Sequence, residues 1–94
     1  MTYLLDFHPK AFKEWKKLNN SIKVQFQKKL KERLTNPIII KDKLSGYENM
    51  YKIKLKSIGY RLAYEVKDDE IIVFVISVGR RENEKVYHNL ESRI

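Results

Sequence analysis

Three lysines at every second position of a short apolar run are the residues of this chain best suited to chemistry. Lys52, Lys54 and Lys56 alternate with apolar residues at 51, 53 and 55. Because successive side chains of a β-strand point to opposite faces, this spacing predicts a strand with one apolar face and one face of ammonium groups. Aligned like charges repel and give a fold nothing, so we infer that the cationic face serves a polyanion.

The reaction that such cations could support is the cleavage of RNA by its own 2′-OH. That hydroxyl attacks the adjacent phosphate and leaves a 2′,3′-cyclic phosphate and a free 5′-OH. A lysine could accept the 2′-OH proton only if neutral, so its pKa would have to fall by about two to three units from its usual value of about 10.4. Neighbouring cations and desolvation both act in that direction, and an arginine fork suits the developing phosphate charge.

Other kinds of chemistry find little support in the chain. There is no cysteine, and the two histidines, His8 and His88, lie far apart at the edges of predicted elements. No HExxH, P-loop or GxSxG motif occurs, and no carboxylate cluster suggests a metal site. We therefore expect no metal and no cofactor. The N-terminus does not resemble a signal peptide, and the longest apolar run, Ile71–Ile76, is too short to cross a membrane, so we expect a soluble, cytoplasmic protein.

The distribution of charge indicates the kind of partner. The net charge is +8, with +7 over residues 10–33, +4 over residues 41–61 and −3 over residues 62–78. This pattern favours nucleic acid or an acidic protein as the partner, against the alternative of a lysine-rich surface that is merely solvated.

The first half of the chain reads as a strand followed by two helices. Residues 3–7 alternate as a short strand, and Pro9 suits the first turn of a helix. Asn19-Asn20-Ser21 interrupts that helix, and Asn20 or Ser21 could cap the next one. An apolar stripe then recurs every four residues, at Ile22, Phe26, Leu30 and Leu34. The second helix should end before Pro37, because a residue preceding proline avoids the α region.

The second half predicts three antiparallel strands, at about 50–56, 60–66 and 70–78, with turns at Ile58-Gly59 and Asp68-Asp69. A two-residue hairpin would set Lys56 opposite Arg61, Lys54 opposite Ala63, and Lys52 opposite Glu65. The small Ala63 would then leave room above Lys54 for a phosphate or a ribose. The last strand is apolar on both faces and should be central. Residues 80–94, with Val86 and Leu90 at helical spacing, predict a short, polar, mobile helix.

The fold class that follows is α+β, in one domain over residues 1–94. The order is β-α-α-β-β-β with a possible terminal helix. An αα-hairpin packs on one face of an antiparallel sheet, and the other face stays open as a basic concavity.

Several segments together resemble the RelE-type toxins of bacterial toxin–antitoxin modules. They are Tyr51–Tyr64 (YKIKLKSIGYRLAY), Val73–Glu82 (VFVISVGRRE) with Val86-Tyr87, Tyr3–Phe7, and Lys13–Leu18. The resemblance covers nearly the whole chain. It implies a microbial-ribonuclease-like fold and an mRNA interferase that cleaves message in the ribosomal A site. A ParE-like toxin, which inhibits DNA gyrase on the same scaffold, and a nucleic-acid-binding module without chemistry remain as alternatives.

The resemblance also implies roles for individual residues. Lys52 and Lys54 would activate the 2′-OH or hold it and the scissile phosphate, and Arg61 would stabilise the phosphorane. Arg81 would stabilise the leaving oxygen, and Tyr87 would stack on or orient the nucleotide. Ser45 stands where a family member has arginine, and Lys43 or Lys56 could compensate.

The implied partners are macromolecular. The ribosome and A-site mRNA would bind a basic surface, and a cognate acidic, RelB-like antitoxin would neutralise the toxin by displacing the terminal helix or blocking the basic face. The toxin–antitoxin complex would be able to bind operator DNA. The residues expected to contact RNA or the ribosome are Lys13, Lys16, Lys17, Lys23, Lys28, Lys31, Lys43 and Lys56.

Overall fold

The computed structural model describes residues 2–80, 85–88 and 90–93, and it contains one four-stranded sheet with helices on both faces. The strands are β1 (Leu4–Phe7), β2 (Met50–Leu55), β3 (Tyr60–Lys67) and β4 (Ile72–Arg80). The helices are α1 (Pro9–Lys16), α2 (Asn20–Thr35), α3 (Lys85–His88) and α4 (Leu90–Arg93), and a 3-10 turn spans Ile40–Asp42. The predicted α+β class and β-α-α-β-β-β order are confirmed.

The strands lie in the order β1-β4-β3-β2, so β4 is central, as its apolar sequence predicted. β4 pairs antiparallel with β3 and parallel with β1, so the sheet is mixed and not wholly antiparallel as predicted. The two helices between β1 and the later strands make this parallel pairing possible. β2 is an edge strand and pairs antiparallel with β3. None of the described helices is long and apolar enough to span a membrane.

The two long helices begin and end at local signals. Pro9 occupies the first turn of α1, and the His8 ring accepts the Lys10 backbone N–H. α2 ends at Thr35, before Pro37, as predicted. The predicted cap of α2 was wrong by one or two residues. Asn19 is the cap, because its extended backbone lets its side chain accept the Ile22 N–H at 3.1 Å.

The helices α1 and α2 cover one face of the sheet and form the larger core. Phe26 and Leu30 of α2 pack with Ile53, Leu62 and Val75 of three strands. The Trp15 ring joins α1 to this core through contacts with the rings of Phe7 (5.4 Å) and Phe26 (6.1 Å). Burial of these apolar side chains fixes the orientation of the sheet relative to α1 and α2.

The opposite face of the sheet is not fully open, which corrects the prediction of a basic concavity. Val86 and Leu90 of the C-terminal helices are buried there against Met50, Ala63 and Ile76. A β-bulge at Ile76 separates the pairs Tyr64–Val75 and Ala63–Ser77. The terminal segment was predicted to be a short, polar, mobile helix; it is helical where described, and Val86 and Leu90 are buried.

The hairpin between β2 and β3 also differs from the prediction. Its loop is four residues long, 56–59, and Gly59 adopts the left-handed backbone (φ +68°) that the turn requires. Lys54 consequently lies opposite Arg61, and Lys52 lies opposite Ala63, a shift of two residues. Because the side-chain period of a strand is two, this shift keeps every side chain on its predicted face.

Candidate active site

Two adjacent rows of side chains cross the sheet on the face opposite α1 and α2. In one row Lys54 pairs with Arg61, which pairs with Gly79 of β4. In the next row Lys52 pairs with Ala63, which pairs with Ser77. Directly opposed residues have Cβ atoms about 4.5–5.5 Å apart, so Lys52, Lys54 and Arg61 form one cationic cluster. The sequence predicted this cluster, although with the wrong pairing.

Ala63 does not leave room for a nucleotide, which was the predicted reason for its small side chain. It is fully buried under the C-terminal helices. The residue that pairs with Arg61 on β4 is Gly79, which carries no side chain. A Cβ built there would lie 3.4 Å from a methyl group of Val86, so α3 passes directly over this row.

Lys54 lies among like charges that lower its pKa. The causes are chiefly the charge of Lys52, then a hydrogen bond from Lys52 and partial desolvation. The charges of Arg61 and Lys56 act in the same direction. This is the direction that the sequence argument predicted for a lysine among neighbouring cations.

Tyr87 of α3 lies beside this cluster. Its hydroxyl oxygen is buried. Burial raises the pKa of Tyr87, and the charge of the Arg61 guanidinium and its hydrogen bond to the hydroxyl group partly offset that rise. The Tyr87 hydroxyl group is therefore held close to Arg61.

The remaining predicted site residues are Arg81, the lysines near the β2 edge, and the lysines of the two long helices. Arg81 lies outside the described residues, so its role stays a prediction. Lys56 is exposed in the hairpin loop beside the cluster, and Lys43 is exposed where the connector pairs with Tyr51 at the β2 edge.

The basic residues of the two helices lie in the layer on the far side of the sheet from the cluster. All of them are exposed except Lys23, which is half-buried: Lys13, Lys16, Lys17, Lys23, Lys28 and Lys31. The molecule therefore carries basic side chains on both sides of the sheet. A groove lined by Lys29 of α2 and by Lys54 and Lys56 joins the two sides at the β2 edge.

Arg33 is a residue whose importance the sequence analysis missed. Its guanidinium forms a 2.5 Å ion pair with Asp42, and it donates hydrogen bonds to the Tyr64 hydroxyl (2.8 Å) and the Lys52 carbonyl (3.3 Å). The Tyr64 hydroxyl in turn donates to the Pro37 carbonyl at 2.7 Å. Arg33 thereby fixes the backbone of β2 at Lys52. Its position three residues after Leu30, on the buried stripe of α2, was the available signal.

The described residues contain no group of three or more His, Asp or Glu side chains that could hold a metal ion. The cluster consists of amines, a guanidinium and a phenol. Such a set can bind a phosphodiester, lower the cost of negative charge on it, and accept a proton through the amine whose pKa is lowered.

Solved structures place this fold in a known class. The chain superimposes on the free Escherichia coli toxin RelE, a double arginine-to-alanine variant, with a TM-score of 0.92 and 50% identity, covering 100% of this chain and 99% of that one. It also matches that E. coli variant in complex with a RelBc antitoxin peptide, with a TM-score of 0.83 and 50% identity over the same shares of the two chains. Fold and site together therefore define a RelE-like toxin.

Sequence comparisons identify the family. The family model of the ParE toxin of type II toxin–antitoxin systems matches residues 5–84. The mRNA interferase toxin RelE of E. coli strain K12 is 51% identical over 94 residues, which cover 100% of this chain and 99% of the relative. The chain belongs to the ParE toxin family of type II toxin–antitoxin systems, and within it to the RelE-type toxins that its motifs indicated.

Proposed function

We propose that this protein is a ribosome-dependent endoribonuclease toxin that cleaves mRNA in the A site and so inhibits translation. The support is the name of the E. coli and Shigella flexneri relatives, mRNA interferase, at 51% identity over the full chain. The single observation that carries the proposal is the Lys52–Lys54–Arg61 cluster, because it combines phosphate-binding cations with an amine of lowered pKa.

Each residue of the cluster has a role in an in-line attack by the 2′-OH. Neutral Lys54 accepts the 2′-OH proton as the oxygen bonds to phosphorus, while Lys52 lowers the pKa of Lys54 and binds a phosphate oxygen. Arg61 donates to the equatorial oxygens, which carry the growing charge. The P–O5′ bond breaks to give the cyclic phosphate and the 5′-OH.

The leaving oxygen needs a proton that arginine cannot supply, because a guanidinium stays protonated in proteins. We assign Arg81 to electrostatic stabilisation of that oxygen, with the proton delivered by water or by the RNA. Tyr87 orients the nucleotide through its ring or through its hydroxyl group, which lies close to Arg61.

The dependence on the ribosome follows from the exposure of the cluster. Lys54 is only half-buried, so desolvation contributes less to its lowered pKa than the charge of Lys52 does. Enclosure by the ribosome and the message would exclude water and so lower the pKa of Lys54 further. We expect the free protein to cleave naked RNA weakly or not at all, and rapid cleavage of protein-free RNA at physiological salt would contradict this dependence.

Toeprinting of message on programmed ribosomes tests the proposal. Added protein should produce 3′ ends within the A-site codon, and Arg61→Ala should reduce the rate of their appearance by about 10²-fold or more, as loss of one charge-stabilising donor does elsewhere. Lys10→Ala removes an equal charge outside the cluster and should leave the rate unchanged.

Alanine variants of Arg61 and Arg81 distinguish the proposed nuclease from the rival functions. A gyrase-inhibiting toxin or a non-catalytic binding module does not use a phosphorane-stabilising arginine. Growth inhibition that survives both Arg61→Ala and Arg81→Ala, without message cleavage, would exclude the nuclease.

We further propose that an acidic antitoxin neutralises the protein in the cytoplasm and that their complex binds operator DNA. Support comes from the solved complex of E. coli RelE with a RelBc antitoxin peptide and from the net charge of +8. Co-expression with the antitoxin gene should restore growth and yield a co-purifying complex.

A further inference from the structure

The central strand β4 continues beyond the end of β1, its neighbour in the sheet. Along that extra length, the side chains of Glu14 and Arg93 bond to the backbone of β4 where β1 is no longer present. β1 ends at Phe7, which pairs with Val75, whereas β4 continues to Arg80. Past that point the Val78 N–H donates to a Glu14 carboxylate oxygen at 3.2 Å. The Ile76 carbonyl accepts from Arg93 Nη1 at 2.9 Å.

Glu14 and Arg93 are also bonded to each other. Arg93 Nη1 and Nη2 donate to the two carboxylate oxygens of Glu14 at 2.9 and 3.0 Å. Their side chains are 8% exposed for Arg93 and 28% exposed for Glu14. A two-bond arginine–carboxylate pair is geometrically specific, and this one ties α1 and α4 to the same stretch of β4.

The clamp formed by Glu14 and Arg93 stabilises α3 and α4, which would not be stable as isolated helices. The described parts of α3 and α4 lie within residues 85–93, a segment shorter than the roughly 12–15 residues at which an isolated helix becomes marginally stable, so their positions depend on tertiary contacts. Those contacts are the buried Val86 and Leu90 and the Arg93 bonds. Tyr87 is carried on α3 between these anchors, beside Arg61.

We propose that Arg93 and Glu14 are positioning residues for cleavage, which act by holding α3 and α4 on β4 so that Tyr87 stays beside Arg61. The inference rests on the proposed function. The clamp touches no substrate and acts through Tyr87. Glu14 also binds the amide next to Gly79, the residue that pairs with Arg61, so the clamp fixes both sides of the Tyr87–Arg61 contact.

A double-mutant cycle between Arg93 and Tyr87 tests this inference. Single-turnover cleavage on programmed ribosomes is measured for the wild type, Arg93→Ala, Tyr87→Ala and the double variant. Arg93→Ala should lower the rate constant at saturating ribosomes by about 10- to 100-fold, since small misplacements of a catalytic group cost that much. The ribosome concentration for half-maximal rate should stay within about twofold, because the clamp contacts no RNA. The rate constant of the double variant should be less than about threefold below that of Tyr87→Ala alone, because Arg93 acts through Tyr87.

Two further variants and one spectroscopic measurement separate positioning from general stability. Glu91→Gln alters an exposed carboxylate on the same helix and should cleave like the wild type. Arg93→Lys keeps one charged hydrogen bond, so its cleavage rate constant should fall less than that of Arg93→Ala. If Arg93→Ala does not fold, Arg93→Lys replaces it in the double-mutant cycle. Amide exchange followed by NMR should accelerate at Val78 and Val86 in Arg93→Ala.

Two results would overturn the inference while the wild type cleaves message. One is wild-type cleavage by Arg93→Ala despite faster exchange at Val86. The other is multiplication of the two single losses in the double variant, which would mean that Arg93 acts independently of Tyr87. Absence of cleavage by the wild type itself would instead refute the proposed function.

Discussion

At the scale of residues, the central feature is an amine whose pKa falls mainly because of neighbouring charge. Lys54 is half-buried on its strand, and Lys52 is the largest influence on its pKa. The alternation of lysines therefore has a chemical consequence, because the ammonium groups of Lys52 and Lys56 both lower the pKa of Lys54. This part of the site was readable from the sequence, since strand periodicity alone puts both lysines on one face.

Replacing Lys52 by glutamine should shift the pH dependence of cleavage. Without the Lys52 charge the pKa of Lys54 rises toward its ordinary value, so at a given pH less of Lys54 is neutral. The cleavage rate should fall at neutral pH, and the rising limb of the pH–rate profile should move to higher pH. Single-turnover rates on programmed ribosomes over a range of pH measure this.

Lys56→Gln is the matched control for that shift, because Lys56 also lowers the Lys54 pKa but ranks last among the causes. Its profile should move in the same direction by a smaller amount. A loss in Lys52→Gln that is equal at every pH would mean that Lys52 only binds phosphate and that Lys54 is not the base.

The residues that sequence reasoning missed are those whose partners lie far along the chain. Arg33 bonds to Tyr64 and Arg93 bonds to Glu14, across 31 and 79 residues. Both arginines looked like members of a generally basic surface. For Arg33 the one local signal was its position three residues after Leu30, and no local pattern distinguishes Arg93 from a solvated arginine.

At the scale of elements, the position of β2 depends on α2 and the connector as well as on β3. The Arg33–Asp42 ion pair and the Arg33 bond to the Lys52 carbonyl hold the outer side of this edge strand. The hydroxyl group of Tyr64, whose pKa is raised mainly by burial, completes the network. Lys52 and Lys54 are therefore presented by a strand that is fixed along both sides at Lys52.

Arg33→Met should destabilise the fold by about 2–4 kcal/mol, because it leaves Asp42 without its ion-pair partner in a largely buried position. Denaturant unfolding of the purified variant measures the loss. Lys29→Met changes an exposed lysine of the same helix and should stay within about 0.5 kcal/mol of the wild type. Equal stabilities of the Arg33 and Lys29 variants would show that the network does not hold β2.

The order and faces of the elements could be predicted, whereas loop length and the covering of the second face could not. The turn residue Gly59 was visible in the sequence, but nothing local separates a two-residue loop from the observed four-residue loop at 56–59. Similarly, Val86 and Leu90 are two apolar residues in a polar segment. Only the tertiary structure shows that the sheet offers them a buried site.

At the scale of the whole molecule, two basic surfaces lie on opposite sides of the sheet. The cluster around Lys54 is on one side, and the exposed lysines of α1 and α2 are on the other. The protein measures only 31 × 26 × 26 Å, so a large RNA assembly could contact both. Under the proposed function, the cluster carries out the chemistry and the exposed lysines of α1 and α2 attach the protein to the ribosome.

Changing Lys13, Lys16 and Lys17 together to glutamine should weaken attachment without slowing the chemical step. The ribosome concentration for half-maximal cleavage should rise, and the slope of log affinity against log salt should decrease by about 2–3, because phosphate contacts are lost. The rate constant at saturation should be unchanged, in contrast to Lys52→Gln. A lower rate constant with unaltered affinity would reject the division into two surfaces.

The most direct test of the account is a message with a single 2′-deoxynucleotide at the cleavage position in the A-site codon. The 2′-oxygen is the nucleophile in the reaction assigned to the Lys52–Lys54–Arg61 cluster, so its removal should abolish cleavage at that position while the protein still binds the programmed ribosome. The unmodified message should yield a 3′ end that carries a 2′,3′-cyclic phosphate. Cleavage of the deoxy-substituted message at an undiminished rate would contradict the account, because the nucleophile would then have to come from elsewhere.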